Sequence, residues 1–169
     1  MKFLIEKLPD LRALYIKQLR ILLSAEELLV RGMPRMIDMA SDSQLKQALQ
    51  SHFEATELHA ARLKSILIQI TGEADPLMGK VLSSLLDEAE EMIRESGHES
   101  VRDAALIAAA QCIEHYEIAS YGAAQHFARV LGREGDAARL NQTIREEGHS
   151  DHSLSDIAER INPTARKAA

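Results

Sequence analysis

The sequence is poor in the residues that mark several common classes of protein. Its 169 residues include one cysteine and no tryptophan, and aromatic residues make up 4% of the chain. The single Cys112 cannot form an internal disulfide, and its very apolar surroundings predict a small core residue. The abundance of Ala, Leu, Ile, Glu, Lys and Arg, with few prolines, favours helices over a β-sandwich.

Long apolar runs and basic runs are also missing. No apolar run reaches the roughly 18 residues that span a bilayer, and the N-terminus lacks the apolar core and cleavage site of a signal peptide. The net charge of -6 gives no reason to expect a nucleic acid or an anionic membrane as partner. We therefore expect a cytoplasmic protein that binds neither nucleic acid nor membrane.

Apolar side chains recur at steps of three and four in five segments, which predicts five helices. A chain of this length with 46% hydrophobic residues can bury one core, so we expect a single domain. The predicted helices run from about 4 to 40, from caps at 41–43 to about 70, from Asp75-Pro76 to about 95, from about 100 to 131, and from about 136 to 161.

Caps and helix breakers refine these ends. Gly32 and Pro34 should kink or split the first helix. Ser100 and Asp103 have the spacing of a capping box for the fourth helix. Asn162-Pro163 is expected to stop the fifth helix.

The connections between helices predict the architecture. Short turns join helices 1 and 2 and helices 4 and 5, so each pair should form an antiparallel hairpin, and residues 71–99 are long enough to cross the bundle. The chain is therefore predicted to be all-α, a ferritin-like four-helix bundle whose long crossover carries a fifth, shorter helix. We expect the bundle to occupy residues 1–163, and a disordered tail to occupy 164–169.

Carboxylates lie on the faces of these helices that should be buried. Glu114 and Glu117 fall on the inward stripe of helix 4, which is the most apolar helix, and Glu147 and Asp151 fall on that of helix 5. Burial of an ionised carboxylate is costly unless it is paired or bound to a metal.

The first two helices add further ligand-type residues near mid-helix. Glu26 lies on the apolar stripe of helix 1, and His52 and His59 lie on that of helix 2. Several carboxylates with one or two imidazoles form the ligand set of a dinuclear iron or manganese site, and two divalent cations would offset about four negative charges. The predicted metal ligands are Glu26, His52, His59, Glu114, Glu117, Glu147 and Asp151, with Glu114 or Glu147 as the bridge.

A structural role is the alternative interpretation. A single Glu on an apolar stripe is ordinarily partly exposed or salt-bridged, and His52 and His59 could be hydrogen-bonded core residues. The inward carboxylates would then be protonated or hydrogen-bonded to the histidines and Tyr121. Glu146 and His149 have a Glu-x-x-His spacing but should point outward, so the inward Glu-x-x-His pairs of true ferritins are missing. A dimer built on exposed apolar parts of helices 1 to 3 is a third hypothesis.

Four segments of the chain resemble the YciE/YciF-like family of bacterial ferritin-like proteins. They are SAEELL (24–29), HFEATELHAARL (52–63), DAALIAAAQCIEHYEIASYG (103–122) and REEGHSDHSLSDIA (145–158). The resemblance implies a ferritin-like bundle, usually dimeric and associated with bacterial stress responses. It also implies a dinuclear metal site at Glu26, His52, Glu114, Glu117, Glu147 and Asp151. It supplies no defined reaction, so whether the protein is an enzyme stays open; an active centre would be expected to carry out redox chemistry with a small oxidant, oxygen or peroxide.

Overall fold

Five α-helices make up the computed structural model, which describes residues 7–167. They are α1 (Leu11–Met39), α2 (Ser43–Thr71), α3 (Lys80–Glu95), α4 (Glu99–Val130) and α5 (Glu134–Ala165). No strand occurs between residues 7 and 167. Within the same range, no helix has the length and apolar character needed to cross a membrane.

The long helices pair as two hairpins that pack against each other. The α1–α2 hairpin contacts the α4–α5 hairpin through α1 against α4 and α2 against α5. Arg12 near the start of α1 donates to the Ile70 carbonyl at the end of α2, whereas Arg102 near the start of α4 donates to the Met39 carbonyl at the end of α1. Residues 72–98 therefore return the chain along the whole bundle, and α3 packs on α4 within this crossover. The predicted ferritin-like bundle with a long crossover is confirmed.

The predicted capping box at the start of α4 is wrong. His98 caps α4 instead, because its ring accepts a hydrogen bond from the Ser100 amide. The buried Asp103 carboxylate accepts bonds from the amides of Ser41 and Asp42, at 2.8 and 2.9 Å. Asp103 therefore holds the turn between α1 and α2 against α4, a contact between residues about sixty positions apart that local spacing does not reveal.

The third helix begins later than predicted, at Lys80 with Gly79 as its cap. The segment before it is bound to α1 instead. The Arg20 side chain pairs with Asp75 at 3.0 Å, and the Leu77 amide donates to the Arg20 carbonyl at 2.9 Å. Arg20 Nε also donates to the Asp75 carbonyl at 2.8 Å, and this carbonyl is the first acceptor that a helical turn beginning at Pro76 would use.

Two prolines lie inside helices. The first helix runs unbroken through Gly32 and Pro34, so the predicted split does not occur. Pro34 is exposed, and water can satisfy the carbonyl that loses its helical donor there. The fifth helix continues past Pro163 to Ala165, so the predicted stop at Asn162-Pro163 is wrong and the first residues of the predicted tail are helical.

Two of the predicted segments extend beyond the described residues. Leu4, the predicted start of the first helix, lies outside the described residues, and α1 begins at Leu11 after the cap Asp10. Residues 168 and 169 of the predicted tail also lie outside them. The domain bounds of 1–163 stay a prediction.

The apolar core divides into two clusters along the bundle. One includes Leu29, Leu106 and Ile113, and the other includes Leu19 and Leu63. Cys112 belongs to neither and is exposed, contrary to the prediction. It precedes the buried Glu114 by two residues, which places it roughly 200° around α4, on the outer face.

Asp42 caps α2 and also joins it to α5, which predicts a stability that depends on pH. Its carboxylate accepts from the amides of Gln44 and Leu45, and Arg160 donates to both oxygens, at 2.6 and 2.8 Å. The hydrogen bond from Arg160 lowers the pKa of Asp42 to about 2. Because the folded-state pKa is lowered, this pairing stabilises the fold above the ordinary pKa of Asp and is lost as the pH falls from about 4 to about 2.

Asp42→Asn should keep the cap and weaken the pairing, while Asp42→Ala should lose both. We expect Asp42→Ala to be less stable than Asp42→Asn by about 1 kcal/mol, which is the usual contribution of a cap. Urea unfolding at several pH values should show the gap between wild type and Asp42→Asn narrowing below pH 4. A gap that stays constant with pH would contradict the assigned role of Arg160.

Candidate metal centre

Buried ligand-type side chains from four helices meet between the two apolar clusters. Each stands on an inward stripe among apolar neighbours, as Glu26 does between Leu22 and Leu29 on α1. The spacing of three and four residues that buries those leucines also buries the carboxylate. The residues that meet are Glu26 of α1, His52 and His59 of α2, Glu114 and Glu117 of α4, and Glu147 of α5.

The first donor group contains His52, Glu114, Glu117 and Glu147. Each offers one ligand atom, and these atoms lie within 4.8 Å of one another. His52 Nε2 is 3.2 Å from Glu114 Oε1, and His52 Nδ1 is 3.8 Å from Glu147 Oε2. One imidazole and three carboxylates thus converge on one small volume.

The second donor group contains Glu26, His59 and Glu147, with ligand atoms again within 4.8 Å of one another. His59 Nδ1 lies 2.9 Å from Glu147 Oε1 and 3.7 Å from Glu26 Oε1. The hydroxyl of the buried Tyr121 donates a short hydrogen bond to Glu26 Oε1. Glu147 belongs to both groups, so its carboxylate joins them.

Each histidine has a further polar partner, on the ring nitrogen that does not make its shortest contact with the donor group. His52 Nδ1 is 3.0 Å from Ser150 Oγ, and His59 Nε2 is 2.9 Å from Glu146 Oε2. Arg62 holds Glu146 in turn, at 2.8 Å from the same oxygen. A metal-binding histidine ordinarily makes such a second bond, which fixes the ring and its tautomer.

Glu146 is the residue that the sequence reasoning missed. Its side chain, predicted to point outward, is 34% exposed, yet its carboxylate reaches His59. The Glu-x-x-His spacing with His149 is not used, because His149 is exposed and belongs to neither group. No periodicity could have found Glu146, since it contacts His59 from the flank of α5 rather than from its inward stripe.

Asp151 is the predicted ligand that the structure does not bring into either group. It lies one turn beyond Glu147, where its Oδ1 accepts from Gln111 Nε2 at 3.1 Å and lies 3.5 Å from His115 Nε2. Asp151 lies on the same face of α5 as Glu147, but one turn farther along the helix than the donor groups.

Burial and mutual repulsion keep most of these carboxylates from ionising. Burial, with the neighbouring charge of Glu147, raises the pKa of Glu114 to about 10 and that of Glu26 to about 8. Burial also raises the pKa of Glu117 well above its ordinary value. Although burial acts against it, contact with His59 holds the pKa of Glu147 below its ordinary value. Glu147 is therefore the carboxylate that remains charged without a bound cation.

The pKa values of the two imidazoles are shifted in opposite directions. Burial lowers the pKa of His52, which favours the neutral ring that a metal needs. Burial also acts to lower the pKa of His59. The contact with Glu147 and the negative charge of that residue act in the opposite direction, as do Glu26 and Glu146, so the pKa of His59 is raised overall.

Several of the buried oxygens have no hydrogen-bond partner. Both carboxylate oxygens of Glu117, Oε2 of Glu114 and Oε2 of Glu26 are in this state. A buried polar atom without a partner costs about 1–3 kcal/mol, so such atoms normally have a function. Carboxylate oxygens beside imidazole nitrogens are the donors that iron or manganese binds, and here several of those oxygens have no other partner, so these residues fit a dinuclear metal.

A family described as a domain of unknown function, DUF892, matches residues 10–167. The chain belongs to the DUF892 family. Protein YciF of Escherichia coli K12 is 38% identical over 146 residues, which cover 86% of this chain and 87% of YciF. The predicted resemblance to the YciE/YciF-like family is thereby confirmed.

Two solved structures resemble this DUF892 protein over most of its length. The crystal structure of the E. coli stress protein YciF matches with a TM-score of 0.86 and 34% identity, covering 92% of this chain and 98% of that one. YcfI of Rhodopseudomonas palustris, for which a structural role has been proposed, matches with a TM-score of 0.87 and 30% identity. That match covers 90% of this chain and 98% of the other.

Glu146→Gln should lower the pKa of His59, because the amide cannot stabilise the imidazolium as the carboxylate does. Since the folded-state pKa of His59 is raised, its charge stabilises the fold below the ordinary pKa of His, and this stability is lost as the pH rises through the folded-state pKa. The loss of stability of Glu146→Gln relative to wild type should therefore be largest at low pH.

NMR titration of the His59 ring in metal-free protein measures this change directly. Glu54→Gln on the exposed face of α2 is the matched control and should leave the His59 titration unchanged. An unaltered His59 pKa in Glu146→Gln would show that the contact does not form in solution.

Proposed function

We propose that this protein binds two iron or manganese ions between α1, α2, α4 and α5 and serves in a bacterial stress response. The observation that carries the proposal is the pair of buried donor groups that share Glu147. The description of YciF as a stress protein supports the physiological part.

Charge balance supports two ions rather than one. The two groups together contain four carboxylates, Glu26, Glu114, Glu117 and Glu147, all almost fully buried. Two divalent cations would offset the charge of all four carboxylates in their ionised form, whereas one would offset only two, so the other two would have to keep their protons and could not act as ionised ligands. Binding would also displace the protons that the raised pKa values retain on Glu26, Glu114 and Glu117.

The donor groups suggest a role for each residue. Glu147 would be shared by both ions, with His52, Glu114 and Glu117 at one position and Glu26 and His59 at the other. Tyr121 holds one oxygen of Glu26 and leaves the other free for an ion. Bound iron or manganese supplies one-electron redox chemistry toward oxygen or peroxide.

A structural protein without metal is the second candidate. The Tyr121–Glu26 hydrogen bond and the contacts of His52 and His59 with Glu114 and Glu147 form a polar network even without an ion. A structural role has also been proposed for the relative YcfI.

The expected homodimer and the cytoplasmic location also stay predictions.

Metal content and thermal stability distinguish the two candidates. Protein purified without chelator or affinity tag should contain about two iron or manganese ions per chain under the proposal. Chelation should then lower the melting temperature, because an ion that binds only the folded chain stabilises it. No metal, no uptake of added Fe(II) or Mn(II), and an unchanged melt would leave the structural protein as the explanation.

Glu114→Gln separates the metal role of this residue from its role in packing. An amide of the same shape needs no proton when buried, so the metal-free variant should be as stable as wild type or more so. Its melting temperature should no longer rise when Mn(II) is added, because one ligand of the first group is lost. Glu159→Gln, exposed on α5, is the control and should keep the wild-type response. A full metal-dependent rise in Glu114→Gln would remove Glu114 from the site.

A further inference from the structure

The buried donor groups adjoin a cleft between α2 and α5. The cleft has a volume of about 840 Å³, and its lining includes His52 and Glu114, two ligand residues of the first group. His52 is 8% exposed, whereas Glu26, His59, Glu117 and Glu147 are fully buried. The donor groups thus come nearest to solvent at His52, in the floor of this cleft.

Small side chains on the facing helices leave this cleft open. Ala48, Ser51 and Ala55 line it from α2, and Ser150 and Ser153 line it from α5. None of these side chains is long enough to fill the groove between two helices, so the helices pack loosely there.

The lining contains polar groups that can interact with an ion that still carries water. The side-chain amides of Gln44, Gln47, Asn141 and Gln142 and the hydroxyls of the serines line the cleft beside apolar residues such as Leu49 and Leu154, and Glu146 adds a carboxylate. Arg145 also lines it, but it is exposed, so solvent screens its charge. Because a water molecule takes up about 30 Å³ of liquid, the cleft has room for a cation with its hydration shell.

Along the bundle axis and on the α1 side, the donor groups are bordered mainly by apolar residues. The two core clusters lie on either side of them along the bundle axis. A second cavity touches His52 and Glu114 from the α1 side, but it measures about 20 Å³ and is lined otherwise by apolar residues such as Leu29 and Met33. A hydrated cation does not fit there, and apart from Glu114 the lining offers no side-chain oxygen to replace its water.

We propose that the α2–α5 cleft is the route by which hydrated divalent cations reach the buried donor groups, with His52 and Glu114 as the first ligands they meet. This inference rests on the proposed metal site. Glu146 lines the cleft and also contacts His59, so the route adjoins both donor groups.

Narrowing the cleft should slow metal exchange without changing the affinity. Ala55→Phe places a ring in the cleft, whereas Ala61→Phe places the same ring on an exposed position of α2 outside it. Because entry and exit share one route, Ala55→Phe should reduce the rates of Mn(II) uptake and of chelator-driven Mn(II) release by the same factor. We expect roughly tenfold or more, equivalent to about 1.4 kcal/mol in the barrier. The final Mn(II) content and the Kd should equal those of wild type.

Stopped-flow mixing with Mn(II) and with a chelator measures the two rates. Ser51→Phe lies on the exposed rim beside His52, so it needs no buried space and serves if Ala55→Phe does not fold. Wild-type rates in the folded cleft variants, or equal slowing in Ala61→Phe, would overturn the inference while leaving the metal site intact. Failure of wild type to take up Mn(II) would overturn the metal site and the route together.

Discussion

Four buried carboxylates at one level of a helical bundle create a repulsion that the rest of the structure accommodates. Burial and mutual repulsion raise the pKa of three of them, and the fourth, Glu147, stays charged beside His59. The apolar clusters on either side strengthen the repulsion between the carboxylates, because they exclude the water that would screen these charges. Apolar residues of similar volume would often stabilise a fold more than such groups do, so their burial here is better explained by function than by stability.

The two hairpins contribute different parts of this arrangement. The α1–α2 hairpin brings both imidazoles and Glu26, and the α4–α5 hairpin brings Glu114, Glu117 and Glu147. Neither hairpin holds a complete donor group alone. Contacts such as those of Asp103 with the α1–α2 turn and of Asp42 with Arg160 fix how the hairpins dock, and so they also set the geometry of the site.

Much of the fold and most of the site could be predicted from periodicity. Apolar residues spaced three and four positions apart identified every long helix, and the same spacing placed Glu26, His52 and Glu114 among apolar neighbours. Features that depend on distant contacts could not be predicted in this way. Asp103 resembled a local cap although its partners lie on another turn, and Glu146 seemed solvent-facing although Arg62 and His59 bind it.

The sharing of Glu147 makes the two donor groups unequal. One position offers three carboxylates and one imidazole, and the other offers two carboxylates and one imidazole. Additional negative charge stabilises a higher oxidation state, so two ions of the same element would differ in reduction potential. If two ions bind as proposed, the group with three carboxylates would favour the higher oxidation state more strongly than the group with two, so the two positions would not be interchangeable.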